Sequence, residues 1–178
     1  VYEEWARGVA ADPDAQRLLA RIPEGRRQPP LVFAVTRMLG ATEGGYAAWS
    51  QWLAANIDGV AAECAARGLQ TNEPLRCAAL LPALSLIDGP IALLEVGASA
   101  GLCLYPDRYS YRYESGQDLD PAGGQSPVVL RSSARGLPSL HLPEVVWRAG
   151  IDLAPLDAAS EADRRFLTSL VWPGEEGR

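Results

Sequence analysis

Residues 91–102 read IALLEVGASAGL, and the fold turns on how this stretch is read. IALLEV is a short continuous apolar run, the pattern of a strand buried on both faces of a sheet. GASAG, residues 97–101, is a small-residue turn, and the segment from Ala98 to Tyr109 is expected to open a helix directly after it. A buried strand, a tight glycine turn and a helix serve two different machines. As G-x-S-x-G the turn is a hydrolase elbow with Ser99 as nucleophile. As E-x-G-x-S-x-G it is a cofactor turn in which Glu95 and backbone amides hold a ligand.

The surroundings favour the cofactor turn. An elbow needs a histidine within reach of the serine and an acid behind it. His141 is the only histidine, 42 positions after Ser99, with Asp107, Asp118 and Asp120 as candidate acids between them. An elbow also follows earlier strands, one of which brings an oxyanion loop, whereas everything before Ile91 reads as helix. In the cofactor reading Gly97 allows a sharp exit from the strand, and Gly101 lets the following helix pack close. Glu95 is an expensive residue in an apolar run unless it is paired or functional. A second strand, EVVWRAGID, ends in Asp152, where a carboxylate accepts hydrogen bonds from ribose hydroxyls. Glu95 and Asp152 stand 57 residues apart, so a β insertion over about residues 109–143 is expected between the two strands.

The bulk of the chain narrows the classes further. Its 178 residues are 48% hydrophobic and 21% charged, enough to bury a core. A formal net charge of −6 weighs against nonspecific nucleic-acid binding, which needs a basic footprint. All 16 basic residues are arginine, which excludes chemistry that rests on a lysine. Three cysteines without a C-x-x-C and a single histidine argue against a disulfide framework or a metal site. No apolar run is long enough to span a membrane and no signal peptide is visible, so a cytoplasmic setting is expected.

Before the strand, two short helices are expected, the second capped at Asp12 with Pro13 in its first turn. LVFAVTRMLGA reads as a buried helix. Tyr46, Trp49, Leu53, Ile57, Val60 and Cys64 recur at helical spacing and form one apolar stripe. TNEPLRCAALLPAL reads as a helix capped at Thr71 or Asn72 and kinked at Pro82. After the strand, YSYRYESG and PVVLRSS are strand candidates, QDLDPAGGQ is a loop or hairpin tip, and SEADRRFLTSLVW is a helix capped by Ser160. The fold class is therefore α/β: a helical region over 1–88, then the first half of a Rossmann-like domain over 89–178.

The acid-x-Gly-x-x-x-Gly pattern of Glu95, Gly97 and Gly101 resembles the first motif of class I S-adenosylmethionine-dependent methyltransferases. Ser99 stands where that motif has its middle glycine. The blocks TNEPLRCAALLPAL, LLEVGASAGLCLYPDRYSYRY and VVWRAGIDLAPLDAASEADRRFLTSLVWP are similar to the bacterial domain of unknown function 2332 family, whose fold is methyltransferase-like. In that resemblance Cys103 replaces a common asparagine, and Asp107, Arg108 and Tyr109 match a DRY triplet. Asn72, Glu73 and Arg76 match the block before the first strand. In that resemblance the family's members continue past the LVWP block, so this chain is expected to be their N-terminal half and to bind the cofactor weakly or not at all without the later αβ units.

The resemblance implies S-adenosylmethionine as cofactor, with Glu95, Gly97, Ala98, Ser99, Gly101, Asp152, Asn72 and Arg76 as its binding residues. Arg76 either pairs with the cofactor carboxylate or forms an ion pair with Glu73. No catalytic residue and no acceptor substrate is assigned. Two alternatives stand beside this reading: a non-catalytic Rossmann-like scaffold or interaction module, and a serine hydrolase built on GASAG. An open sheet edge is expected either to pair with a second copy of the chain or to be covered by the β insertion.

Overall fold

The computed structural model describes residues 1–174. The chain divides into two compact units. One is Val1–Gln70 together with the segment from Leu156, and the other is Thr71–Pro155. The sequence division at residue 88 differs from this at both ends, for a reason visible in the packing of two helices.

The first unit is helical. Its elements are α1 (Tyr2–Ala11), α2 (Pro13–Leu19), α3 (Pro29–Met38), α4 (Tyr46–Ala66) and, from the far end of the chain, α6 (Glu161–Leu170). As the sequence suggests, Asp12 caps α2: its carboxylate accepts from the N–H groups of Asp14 and Ala15. The predicted stripe of α4 is its buried face, since Trp49, Leu53, Ile57, Val60 and Cys64 all lie in the core. Three aromatic residues set that core. Trp5 stacks on Trp49 at 5.2 Å, and Phe33 meets Trp49 edge-on at 5.5 Å. Both indole N–H groups are satisfied, by the Gly44 carbonyl and by Thr36 Oγ1.

Helix α6 forms where expected, with Ser160 accepting from the Asp163 N–H as its cap. It joins the helical unit and does not extend the sheet. Phe166 is fully buried in the Trp5–Trp49 core. Arg37 of α3 donates to the Ser169 and Val171 carbonyls, and Arg67 pairs with Asp163 while lying over the Phe166 ring. These contacts explain why the helical unit reclaims the end of the described chain.

The second unit holds α5 (Arg76–Leu84), β1 (Ile91–Val96), β2 (Ser110–Tyr113), β3 (Asp118–Leu119), β4 (Val129–Ser132) and β5 (Val145–Ile151). Helix α5 was expected to belong with the helices before it. Its Cys77, Ala78 and Leu81 instead pack on Tyr109, Tyr111, Tyr113, Leu130 and Leu140 of the insertion. Tyr113 Oη donates to the Ala78 carbonyl. The helix also begins at Arg76, later than a Thr71 or Asn72 cap requires, because residues 73–78 first close tight backbone turns.

The two sheets are separate. Strands β1 and β5 pair in parallel, with Leu94 opposite Ala149 and Val96 opposite Ile151. The insertion forms its own sheet in the order β3-β2-β4, with β2 antiparallel to β3 and parallel to β4. It therefore does not pair with the open edges of β1 and β5. The second unit is mixed α/β, with a two-stranded parallel ribbon in place of a doubly wound sheet among the described residues.

The expectation that IALLEV is buried on both faces is corrected. Side-chain exposure alternates along β1. Leu93 and Glu95 face inward, while Leu94 is 53% exposed and Val96 80%. On β5 the same outer face carries Trp147 and Ile151, 54% and 57% exposed. Apolar character in both residue sets suits both faces to burial, but only one is covered. No helix among the described residues is long and apolar enough to cross a membrane.

The contrast between the two tryptophan environments is measurable. Trp49→Ala removes a buried ring and its hydrogen bond to Thr36, and is expected to cost about 3–5 kcal/mol in urea unfolding. Trp147→Ala removes surface that already faces solvent and is expected to shift stability by less than about 0.5 kcal/mol.

Candidate functional site

The site lies at the carboxyl end of β1, where the chain leaves the ribbon through Gly97–Gly101. Three residues of this turn have positive φ: Gly97 at 82°, Ser99 at 51° and Gly101 at 75°. Around Gly97 no atom would touch an added Cβ, so the backbone angle and not space requires glycine there. Among the described residues, Ser99 alone adopts this region without being glycine. For an L-residue with a Cβ that conformation costs about 1–2 kcal/mol.

Asp152 holds the turn in place. Its Oδ2 accepts from the Ser99 N–H at 2.8 Å, and its Oδ1 accepts from the Ala154 N–H at 2.8 Å. The Ile151 carbonyl receives the N–H groups of Gly97 and Ala98 at 2.7 and 3.2 Å. Gly101 N–H closes back on the Ala98 carbonyl at 2.6 Å. Four amides of the Gly97–Gly101 turn thus bond within the protein. The Asp152 carboxyl is held below the usual carboxylate range, first by the Ala154 N–H and then by that of Ser99.

The helix expected after the turn is absent. A three-residue 3₁₀ turn, Leu102–Leu104, stands in its place. Pro106 lies too close for a longer helix to continue undisturbed, and tertiary bonds fix the segment in an irregular path. Arg148 of β5 forks onto both Asp107 oxygens at 2.9 and 3.0 Å, donates to the Leu104 carbonyl and lies over the Tyr105 ring. Tyr109 Oη donates to the Leu102 carbonyl and Tyr111 Oη to that of Pro106. Of the DRY triplet, Asp107 and Tyr109 are therefore structural. Arg108 is exposed; its backbone N–H donates to the Tyr105 carbonyl and its guanidinium lies 3.3 Å from Asp107.

The loop so fixed lies against the inner face of the ribbon. A Cβ built on Gly150, the partner of Glu95 across the strands, would sit 2.5 Å from the Ala98 Cβ and 3.3 Å from Leu104 Cδ1. Gly150 is glycine because the turn packs directly onto it. Neither the motif nor the spacing marked this residue; an isolated glycine in a strand is the available signal of close backbone approach.

Among the described residues three side-chain atoms are buried without a hydrogen-bond partner, all in this second unit: Asn72 Nδ2, Glu95 Oε2 and Ser99 Oγ. They come from three segments: the approach to α5, the end of β1 and the turn. Cys103 connects two of these segments, since its thiol donates to the Glu73 carbonyl at 3.4 Å and also bears on Glu95. Burial pushes the Glu95 carboxyl above its ordinary range, while the Arg76 charge and the Cys103 thiol pull it partly back and the Asp152 charge adds to the rise. Arg76 thus acts electrostatically on Glu95, although its side chain is exposed.

The hydrolase arrangement does not assemble. Ser99 Oγ is bonded to no base, and no α-helix follows the turn. His141 is exposed and held through its backbone, which both donates to and accepts from Ser85 Oγ.

Among family models, the one described as "Uncharacterized protein conserved in bacteria (DUF2332)" matches residues 1–178. No curated protein and no solved structure matches the chain.

Two outcomes follow from this geometry. Gly150→Ala is expected to destabilise by about 1–3 kcal/mol through overpacking against Ala98. Ala98→Gly on that background is expected to recover part of the loss, measured as the coupling in a double-mutant cycle. Asp152 supplies a pH dependence whose direction is fixed. Because its folded-state value is depressed, its stabilisation is complete above the ordinary carboxylate value of about 4 and is lost as pH falls through the folded-state value. Asp152→Ala is expected to lower the melting midpoint at neutral pH and to flatten its decline in acid; an unchanged acid profile would show that the carboxylate does not hold the turn.

Proposed function

The chain belongs to the bacterial DUF2332 family, and on that premise we propose that it binds a small molecule at the carboxyl end of β1, as a methyltransferase-like protein whose ligand is S-adenosylmethionine. One observation carries the reading. Asn72 Nδ2, Glu95 Oε2 and Ser99 Oγ, each on a residue already implicated by the sequence, are buried and unpaired. A buried polar group without a partner costs about 1–3 kcal/mol. Glu95 Oε2 and Ser99 Oγ at the end of β1, with Asn72 Nδ2 next to the Glu73 carbonyl that Cys103 ties to this end, fit a polar ligand that would satisfy them.

The chemistry of these groups narrows the ligand. Asn72 Nδ2 offers a donor, Glu95 Oε2 an acceptor and Ser99 Oγ either. Both carboxylates, Glu95 and Asp152, favour positive charge. The turn opens no α-helix and its amides are largely engaged, so the usual support for a phosphate group is missing. A sulfonium with an ammonium group suits that environment better than a polyphosphate does. Asn72, Glu95 and Ser99 would hold the ligand directly, and Asp152 would position the turn while keeping lone pairs for a hydroxyl. When bound, S-adenosylmethionine supplies an electrophilic methyl group. The contribution of these residues is then positioning and exclusion of water, which such a displacement needs more than acid–base groups. No acceptor is assigned.

A second reading, an interaction module, is favoured by a different observation. The outer face of β1 and β5 presents Leu94, Val96, Trp147 and Ile151 to solvent, and each strand has only one pairing neighbour among the described residues. Contiguous exposed apolar surface commonly marks a contact site, and a second copy of the chain is the partner this reading proposes.

Titration calorimetry separates the two. S-adenosylmethionine is expected to give a weak but saturable heat with the unaltered chain, weakened further, at least tenfold, by Glu95→Gln. That substitution is also expected to raise the ligand-free melting midpoint, because it removes a carboxylate that burial disfavours. Absence of heat and of any thermal shift at millimolar ligand would end the cofactor reading for residues 1–178. Concentration-dependent sedimentation abolished by Val96→Ser with Trp147→Ser would support the interaction module.

A further inference from the structure

The turn contains one residue whose presence its own fold does not explain. Ser99 replaces a glycine in a backbone conformation that favours glycine, with φ at 51°. Its side chain is only 6% exposed, and its hydroxyl has no partner. Its backbone N–H is fixed by Asp152 at 2.8 Å, so the strained conformation is enforced from outside the residue. Glycine at this position would relieve the strain, remove the unpaired hydroxyl and leave the Asp152 bond intact. In the ligand-free fold the serine side chain is a liability on both counts.

We infer that Ser99 is a specificity-determining residue whose hydroxyl hydrogen-bonds a polar atom of the bound molecule at the end of β1. The neighbouring residues cannot take this role. Gly97 and Gly101 have no side chain, and Ala98 is packed against Gly150. Within the turn, Ser99 alone has a side chain able to form a hydrogen bond. Strain of this kind persists where surrounding structure over-determines it, and it concentrates at ligand clamps. The inference rests on the proposed binding function for the location of the ligand, and it adds that this chain selects its ligand through a group that a glycine turn lacks.

The test compares the unaltered chain with Ser99→Gly and Ser99→Ala. Without ligand, Ser99→Gly is expected to raise the melting midpoint by about 4 °C. Ser99→Ala should raise it less, because alanine keeps the unfavourable backbone angle. Each protein is then titrated with S-adenosylmethionine, L-methionine and adenosine. The compound that binds the unaltered chain is expected to bind both variants about tenfold more weakly, the loss of one hydrogen bond. A lower ligand-free midpoint in Ser99→Gly would overturn the inference, because the hydroxyl would then be satisfied within the fold. S-adenosylmethionine binding equally to all three proteins would overturn it while leaving the cofactor reading intact. Binding of L-methionine or adenosine alone, weakened in both variants, would uphold it while removing S-adenosylmethionine as ligand. Binding of none of the three compounds would overturn both.

Discussion

The second unit depends on a carboxylate at the end of β5. Asp152 receives the N–H groups of Ser99 and Ala154, one on each oxygen. This tie joins two chain segments more than fifty residues apart at the point where both leave the parallel ribbon. Backbone bonds from Gly97 and Ala98 to Ile151 bring them together, and Asp152 fixes the direction in which the turn departs. The positive φ at Ser99, the seating of Ala98 on Gly150 and the burial of the serine hydroxyl all follow from that direction. A carboxylate in this position is well suited to the task, since an ionised acceptor makes stronger bonds to backbone N–H groups than a neutral one.

A second clamp fixes what comes after the turn. The fork from Arg148 to Asp107 determines that residues 102–109 lie across the inner face of the ribbon as an irregular segment. Together the two clamps use β5 as a template for the chain that follows β1. The outcome is a strand end at which two polar side-chain atoms, Glu95 Oε2 and Ser99 Oγ, are enclosed without a partner. That state is unusual because most buried polar groups in folded proteins find partners. It is the feature on which the proposed binding role rests, and under that proposal recognition falls to side chains at a turn whose amides are otherwise engaged.

Much of the architecture was legible beforehand for local reasons. The Asp12–Pro13 start of α2, the stripe of α4 and the Ser160 cap of α6 are patterns within one helix, and short-range physics settles them. The parallel pairing of β1 with β5 was legible because both are short apolar runs separated by a β-rich insertion. The candidate residues Glu95, Ser99 and Asp152 stand out as polar groups in or beside those runs, and they lie close together at the end of β1. Gly150 and Arg148 escaped notice. Their importance depends on Ala98 and Asp107, which lie more than forty residues away, and neither has a local signature.

By itself, the sequence determined the kinds of element, most of their limits and the position of the glycine turn, because propensity, capping and periodicity act over a few residues. Tertiary structure alone decided where those elements were used. Helix α6 went to the helical core because Phe166 fits among its aromatic rings, and α5 went to the insertion because three tyrosines line its buried face. The segment after the turn lost its helix to the pull of Arg148 and the tyrosine hydroxyls. One face of β1 stayed exposed although its residues are apolar. Each of these outcomes reflects competition between distant partners for the same surface, and the free energy of such contacts resides in the pair and not in either stretch of sequence.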